Sequence, residues 1–255
     1  MSIAPLPQSF LQLPIAHRAL HDRAKGVIEN SPSAIKAAIA KGYAIEIDLQ
    51  LSKDGQAIVF HDEELDRLTE ESGALNRLTA QELGQIKLKG SQDSIPTFAE
   101  VLDLVAGQVP LLVEIKDQTL TMSQTDGRLE AETARLLAHY QGEVAVMSFN
   151  PHSIAHMAQL APEIPRGLTT SAYDYADWAP LSHDTCDHLR DIPDFDRVEA
   201  SFISHEAADL DRPRVAELKA KGADILCWTI TSPQAEEKAR KVAANITFEK
   251  YLAPF

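Results

Sequence analysis

Three carboxylates and two histidines stand at the ends of apolar runs in this sequence, where a sheet would turn polar groups toward a pocket. His17, followed by Arg18, closes the run 13–16; Glu46 and Asp48 close 44–47; His61-Asp62 follows a hairpin signal; Glu114 and Lys116 close 111–115. Side chains alternate along a strand, so Glu46 and Asp48 share one face, as do Glu114 and Lys116. Glu46, Asp48 and Glu114 bring only oxygen donors, which suit one divalent cation, Mg²⁺ or Ca²⁺, rather than zinc with its preference for Cys and His. Ion pairing at a rim is the competing use for any one of them. As a set they fit that use poorly, because each lies in or beside an apolar run, where an unpaired charge is costly.

His17 and His61 suit the roles of proton donor and acceptor, since imidazole titrates near neutral pH. A lone histidine is more often a satisfied core or surface group. Here the hairpin directs His61 toward the carboxylates, and Arg18 stands beside His17. Arg18 and Lys116 can hold a phosphate, the first by its planar fork and the second as a point charge. Trp228, inside the run 225–230, offers a ring that serves as pocket wall or as core, with an indole N–H that needs an acceptor. His21, His139, His152, His156, His183, His188 and His205 lack such context and read as surface or structural groups, and the acidic run 62–71 reads as a solvated face.

These residues need strands to carry them. Apolar runs at 13–16, 44–47, 111–115, 144–147, 167–169, 202–203, 225–230 and 246–248 alternate with amphipathic segments at 33–41, 128–139, 152–160, 214–221 and 234–242. Strand-helix alternation implies parallel strands joined by helical crossovers, and about eight strands in 255 residues imply a closed (β/α)₈ TIM barrel of the α/β class. Helix punctuation supports the frame at Ser31-Pro32, Lys41-Gly42, Asn150-Pro151, Lys221-Gly222 and Ser232-Pro233. The stretch of about 51–96 is too long for a strand-to-helix loop, usually roughly 2–6 residues, and reads as a small insertion after the second strand of a single domain, 1–255. Asp54-Gly55 is a two-residue hairpin signal, and a simple hairpin centred there sets His61 opposite Asp48.

Composition narrows the partners. The net charge of −14 argues against nonspecific nucleic-acid binding and against stable association with an anionic membrane, and leaves a small-molecule substrate. The sequence contains no apolar stretch of membrane-spanning length, and its start lacks a secretory pattern, so a cytoplasmic protein is expected. Cys186 and Cys227, distant and outside any Cys-x-x-Cys pair, are expected as free thiols. Nothing in the residues specifies an oligomeric state.

Taken in order, His17-Arg18, Glu29-Asn30-Ser31, Glu46-Ile47-Asp48, Lys53-Asp54-Gly55, His61-Asp62 with Leu65, Arg67 and Thr69, Ile95-Pro96-Thr97, Glu114-Ile115-Lys116 and Trp228-Thr229 make the chain resemble the glycerophosphodiester phosphodiesterase family over nearly its whole length. The resemblance implies a TIM barrel with a small insertion, a divalent cation on Glu46, Asp48 and Glu114, and His17 with His61 as the acid/base pair. It implies hydrolysis of a glycerophosphodiester to glycerol 3-phosphate and an alcohol. Three departures stand out: Ala19 replaces the usual Gly after His-Arg, Ile28-Glu29-Asn30-Ser31 replaces Pro-Glu-Asn-Thr, and Thr247-Phe248-Glu249 replaces the common Thr-Asp. Phospholipase-like cleavage of intact lipids, a noncatalytic metal- or phosphodiester-binding barrel, and a Schiff-base role for Lys116 are the rival readings.

Overall fold

In the computed structural model, which describes residues 3–255, nine strands follow in chain order. They are β1 (Ile15–Ala16), β2 (Ala44–Leu51), β3 (Ala57–Val59), β4 (Leu111–Ile115), β5 (Val144–Ser148), β6 (Arg166–Thr170), β7 (Phe202–Glu206), β8 (Asp224–Ile230) and β9 (Asn245–Phe248). All but β3 pair in parallel, and β1 bonds to both β2 and β9, which closes an eight-stranded barrel. Every strand expected from the apolar runs is present. The helices are α1 (Ser9–Gln12), α2 (Pro32–Lys41), α3 (Ala80–Leu83), α4 (Phe98–Val105), α5 (Arg128–Leu137), α6 (Pro151–Leu160), α7 (His183–Arg190), α8 (Pro213–Ala220) and α9 (Pro233–Ala239). None among the described residues is long and apolar enough to cross a membrane. Both cysteines are free and buried.

The helix starts follow their punctuation. Ser31 Oγ accepts the Ala34 N–H with Pro32 next in line, and Gly42, at φ 79°, ends α2. Asn150 caps α6 and Ser232 caps α9 in the same way, each before a proline. Four helices lie outside the segments expected from periodicity: the single turns α1 and α3, and the longer α4 and α7. Helix α4 opens with a capping box of Thr97 and Glu100, a signal present in the sequence. Helix α7 buries only Cys186 and Leu189 in an otherwise polar segment, so it offers no apolar run to mark it.

Strand alternation sorts side chains into two populations. Ile45, Ile47, Leu49, Val113, Ile115, Val146, Leu168, Ile203, Ile225 and Ile246 point outward and pack under the helices. Ile15, Ala44, Leu112, Ala145, Phe202 and Leu226 point inward at the amino-terminal end, where Leu6 and Phe10 plug the opening. Asn245 holds this plug by donating to the Phe10 and Leu13 carbonyls, at 2.8 and 2.6 Å. The next inward positions, one pleat nearer the carboxyl ends, are those of Glu46, Glu114, Met147, Thr169 and Thr247, which line a pocket. The amino-terminal half is therefore a packed floor and the other half a polar basin, the usual division in this architecture.

The hairpin after β2 differs from its expected register. Leu49 faces Val59 and Leu51 faces Ala57, the loop is Lys53-Asp54-Gly55, and Gly55 closes it at φ 81°. A three-residue loop with a left-handed last residue shifts the pairing by one. Asp48 accordingly bonds Phe60, through its carbonyl and the Phe60 N–H at 3.0 Å, and His61 lies one residue beyond. The chain then packs its own small cluster, including Ile58, Phe60, Leu65, Leu75 and Leu88, on the barrel rim.

At the floor, Gly167 stands beside Phe202 in the β6–β7 register, and a methyl group on it would lie 2.5 Å from the Phe202 ring. Phe202 is fully buried and has nowhere to retreat. Gly167→Ala should therefore destabilise the fold by about 1–3 kcal/mol, read as a lower urea midpoint with an unchanged slope.

Candidate active site

The carboxyl ends of β2 and β4 bring the carboxylates together. Asp48 and Glu114 are direct neighbours in the parallel register, and Glu46 lies one inward step below. Glu46, Asp48 and Glu114 are 2%, 2% and 7% exposed, and each offers an oxygen within 4.8 Å of the others. Each also has a partner that aims it. Glu46 Oε2 accepts the Arg18 backbone N–H at 2.8 Å, Asp48 Oδ2 accepts Asn30 Nδ2–H at 2.9 Å, and Glu114 Oε1 accepts Lys116 Nζ–H at 2.8 Å.

The electrostatics follow from that crowding. Burial, then the charges of Asp48 and Glu114, push the Glu46 carboxyl well above its ordinary pKa. Burial pushes Asp48 the same way, but His61, Lys116, Arg18 and the Asn30 hydrogen bond outweigh it and hold Asp48 below the usual carboxylate range. Burial lowers Lys116, yet Glu114 and Asp48 raise it above the usual lysine value. Three buried carboxylates thus face two cations, and Glu46 is left short of positive charge. A divalent cation would supply the deficit, and an all-oxygen donor set is what a hard one takes.

Arg18 reaches Glu46 because the chain turns sharply after β1. Arg18 and Ala19 have φ of 50° and 64°, and the Ala19 N–H donates to the Glu46 carbonyl at 2.9 Å. This left-handed region is where glycine is the least strained residue, so Ala19 is accommodated at a cost, with its methyl group buried in the core. The segment Glu29-Asn30-Ser31 proves to have three separate jobs. Glu29 accepts Arg18 Nη1–H at 2.7 Å and a bidentate pair from Arg67 at 2.7 and 2.9 Å, Asn30 orients Asp48, and Ser31 caps α2. Burial raises the Glu29 pKa, but Arg67 and Arg18 prevail and bring it to about 2.

Both histidines reach the pocket, which His17, Arg18, Glu46, Asp48, His61 and Lys116 line on one side. The hairpin ladder stops short of His61; Gln50, the next inward residue of β2 after Asp48, donates to the His61 carbonyl at 3.0 Å and holds it there. His61 Nδ1 is 2.6 Å from Asp62 Oδ1, and Asp62 is clasped by Arg67 Nε–H and Nη2–H at 2.6 and 2.9 Å. The run 62–71 is thus a solvated face only in part: Asp62 belongs to the site, whereas Glu63, Glu64, Glu70 and Glu71 are exposed. His17 Nδ1 is 2.9 Å from Glu249 Oε2. Burial lowers the His17 pKa, with Arg18 adding to the effect and Glu249 opposing it.

The far wall is aromatic. Trp228 Nε1–H donates to the Ser204 carbonyl at 3.0 Å, so the indole has its acceptor inside the barrel and its ring lines the pocket. Phe149 meets it edge to face at 5.4 Å and leans on Trp178 at 5.0 Å. Deeper in the pocket, the buried hydroxyls of Thr169 and Thr247 have no hydrogen-bond partner among the described residues. Asn30, Glu29, Asp62, Phe149 and Glu249 were not singled out as candidate site residues from the sequence. Among the other histidines, His205 is fully buried between Thr170 and Asp209 and is structural, whereas His21 lies 3.5 Å from Glu249.

The model of the glycerophosphoryl diester phosphodiesterase family matches residues 17–247. A glycerophosphodiester phosphodiesterase of Caldanaerobacter subterraneus subsp. tengcongensis is 33% identical over 243 residues, which are 92% of this chain and 91% of that one. Among solved structures, a phosphodiesterase of Oleispira antarctica in complex with its product sn-glycerol-3-phosphate superposes with a TM-score of 0.77 at 24% identity, over 95% of both chains. A glycerophosphodiester phosphodiesterase of Agrobacterium tumefaciens gives 0.68 at 23% identity, over 92% of this chain and 94% of that one. With the barrel, the ordered motifs and the family model in agreement, the chain belongs to the glycerophosphoryl diester phosphodiesterase family.

Proposed function

We propose that this chain hydrolyses glycerophosphodiesters to glycerol 3-phosphate and an alcohol, as one catalytic domain with about 51–96 inserted on its rim. The observation that carries the reading is the convergence in one pocket of three buried carboxylates, two cations and two carboxylate-anchored imidazoles. The Oleispira relative, which binds sn-glycerol-3-phosphate, supports the substrate class.

Glu46, Asp48 and Glu114 would hold Mg²⁺ or Ca²⁺. The chemistry that such a cation would supply there is polarisation of a phosphoryl oxygen. Arg18 and Lys116 border the same carboxylates and stabilise negative charge that develops on the phosphoryl group. One imidazole takes the proton of the attacking oxygen; the other protonates the alkoxide as its bond to phosphorus breaks. Trp228 and Phe149 give the carbon skeleton of the substrate an apolar wall. Lys116, tied to two carboxylates and held protonated, is poorly suited to forming a Schiff base, which requires the free amine.

Purified protein should release glycerol 3-phosphate from glycerophosphocholine, glycerophosphoethanolamine or a related diester with Mg²⁺ or Ca²⁺ present. A chelator should abolish the release, and vesicles of intact phospholipid should not be cut. Failure on the whole diester panel would refute the reading. His17→Ala and His61→Ala should each lower kcat by about 10²–10⁴-fold while circular dichroism stays unchanged; a variant with wild-type kcat removes that histidine from the acid/base pair.

A further inference from the structure

The carboxyl end of β9 carries a group that the proposed mechanism has not used. Strands β1 and β9 run parallel with Ile15 beside Thr247 and Ala16 beside Phe248. One step further the same register sets His17 beside Glu249. Backbone bonds fix both positions: the His17 N–H donates to the Phe248 carbonyl and the Glu249 N–H to the Ile230 carbonyl, each at 2.9 Å. Along β9, Asn245 and Thr247 face the barrel interior, and alternation turns Glu249 the same way. Its Oε2 then lies 2.9 Å from His17 Nδ1 and 3.5 Å from His21 Nε2, while Oε1 is 3.0 Å from Lys250 Nζ. Both oxygens are therefore held.

We infer that Glu249 positions His17, accepting the Nδ1–H so that the Nε2 lone pair is what the pocket receives. This rests on the proposed role of His17 in diester hydrolysis. The hydrogen bond from His17, with the His21 imidazole close by, keeps the Glu249 carboxyl well below the usual range against its partial burial, so it is an ionised acceptor. The proton in the contact is then the imidazole's, and a neutral imidazole that donates from Nδ1 carries its lone pair on Nε2. When Nε2 takes a proton, the carboxylate also stabilises the imidazolium beside Arg18, whose charge opposes it. His61 shows the same design, with Asp62 on its Nδ1. Asp62 adjoins its histidine in the sequence, whereas Glu249 lies 232 residues from His17, in the segment where the chain departs from the Thr-Asp pattern.

Three variants of the Mg²⁺-loaded enzyme test this: Glu249→Gln, Glu249→Ala, and Glu249→Ala combined with His17→Ala. Glu249→Gln, nearly isosteric and still an acceptor, should lower kcat about 10-fold and Glu249→Ala about 100-fold, part of the roughly 10²–10⁴ that a positioned acid/base group supplies. KM should stay within about twofold of wild type, since substrate binding is left to other groups. The combined variant should be no slower than His17→Ala alone. Nitrogen-15 NMR of the imidazoles should show His17 with its proton on Nδ1 in the wild type and a loss of that preference in Glu249→Ala. The NMR measurement needs no turnover, so it tests the pairing even if no diester is hydrolysed. Wild-type kcat in both single variants, a further loss in the His17→Ala background, or an unchanged His17 tautomer overturns the inference.

Discussion

Mutual repulsion among three buried carboxylates is the constraint to which the rest of the site answers. Glu46, Asp48 and Glu114 lie within 4.8 Å of one another with almost no exposure to water, where unpaired charge is very unfavourable. Lys116, Arg18, Asn30 and His61 each offset part of that cost, through ion pairs, hydrogen bonds or charge. The offset is incomplete at Glu46, whose carboxyl is pushed toward its neutral form. A site short of about one positive charge, with its oxygens already aimed, could hold a cation with little reorganisation, as the proposed function requires.

The barrel makes such crowding possible. A closed parallel sheet has two faces and no free edge, so helices can cover the outer face with Ile, Leu and Val while the inner face is divided by depth. At the floor, Phe10, Phe202 and Leu226 pack tightly. One pleat further on, the same strands carry Glu46, Glu114 and Thr247. The apolar floor supplies rigidity, and that rigidity prevents the carboxylates from relaxing apart.

Much of this was legible in the residues because strand periodicity is local. Eight apolar runs predicted eight barrel strands, and alternation put Glu46 with Asp48 before any contact was known. The hairpin register depends on Gly55, whose left-handed backbone lengthens the loop by one residue and shifts the pairing, a choice between loop lengths that Asp54-Gly55 alone does not encode. The approach of His61 survived because Gln50, not the ladder, secures it. Arg67 and Glu29, 38 residues apart, join across an exposed rim, and no periodicity encodes such a pairing. The motif Glu29-Asn30-Ser31 was visible, and Ser31 as a helix cap with it, but the use of Glu29 as an ion-pair acceptor and of Asn30 as a carboxylate guide is set by partners distant in the sequence.

The two imidazoles differ in when their environments can form. His61 has its carboxylate one residue away and its backbone tether eleven residues away at Gln50, so hairpin and insertion assemble that half locally. His17 has nothing comparable nearby, because its partner lies on the last strand. The contact forms only once β9 docks against β1, which is also the event that closes the barrel. Closure of the sheet and completion of the His17 environment are then one step, and contacts so distant in sequence form late and at high entropic cost. A barrel left open at the β1–β9 seam would keep its carboxylate cluster on β2 and β4 and its His61 half intact. It would lack an oriented His17, so the seam that completes the fold would also complete the proposed acid/base pair.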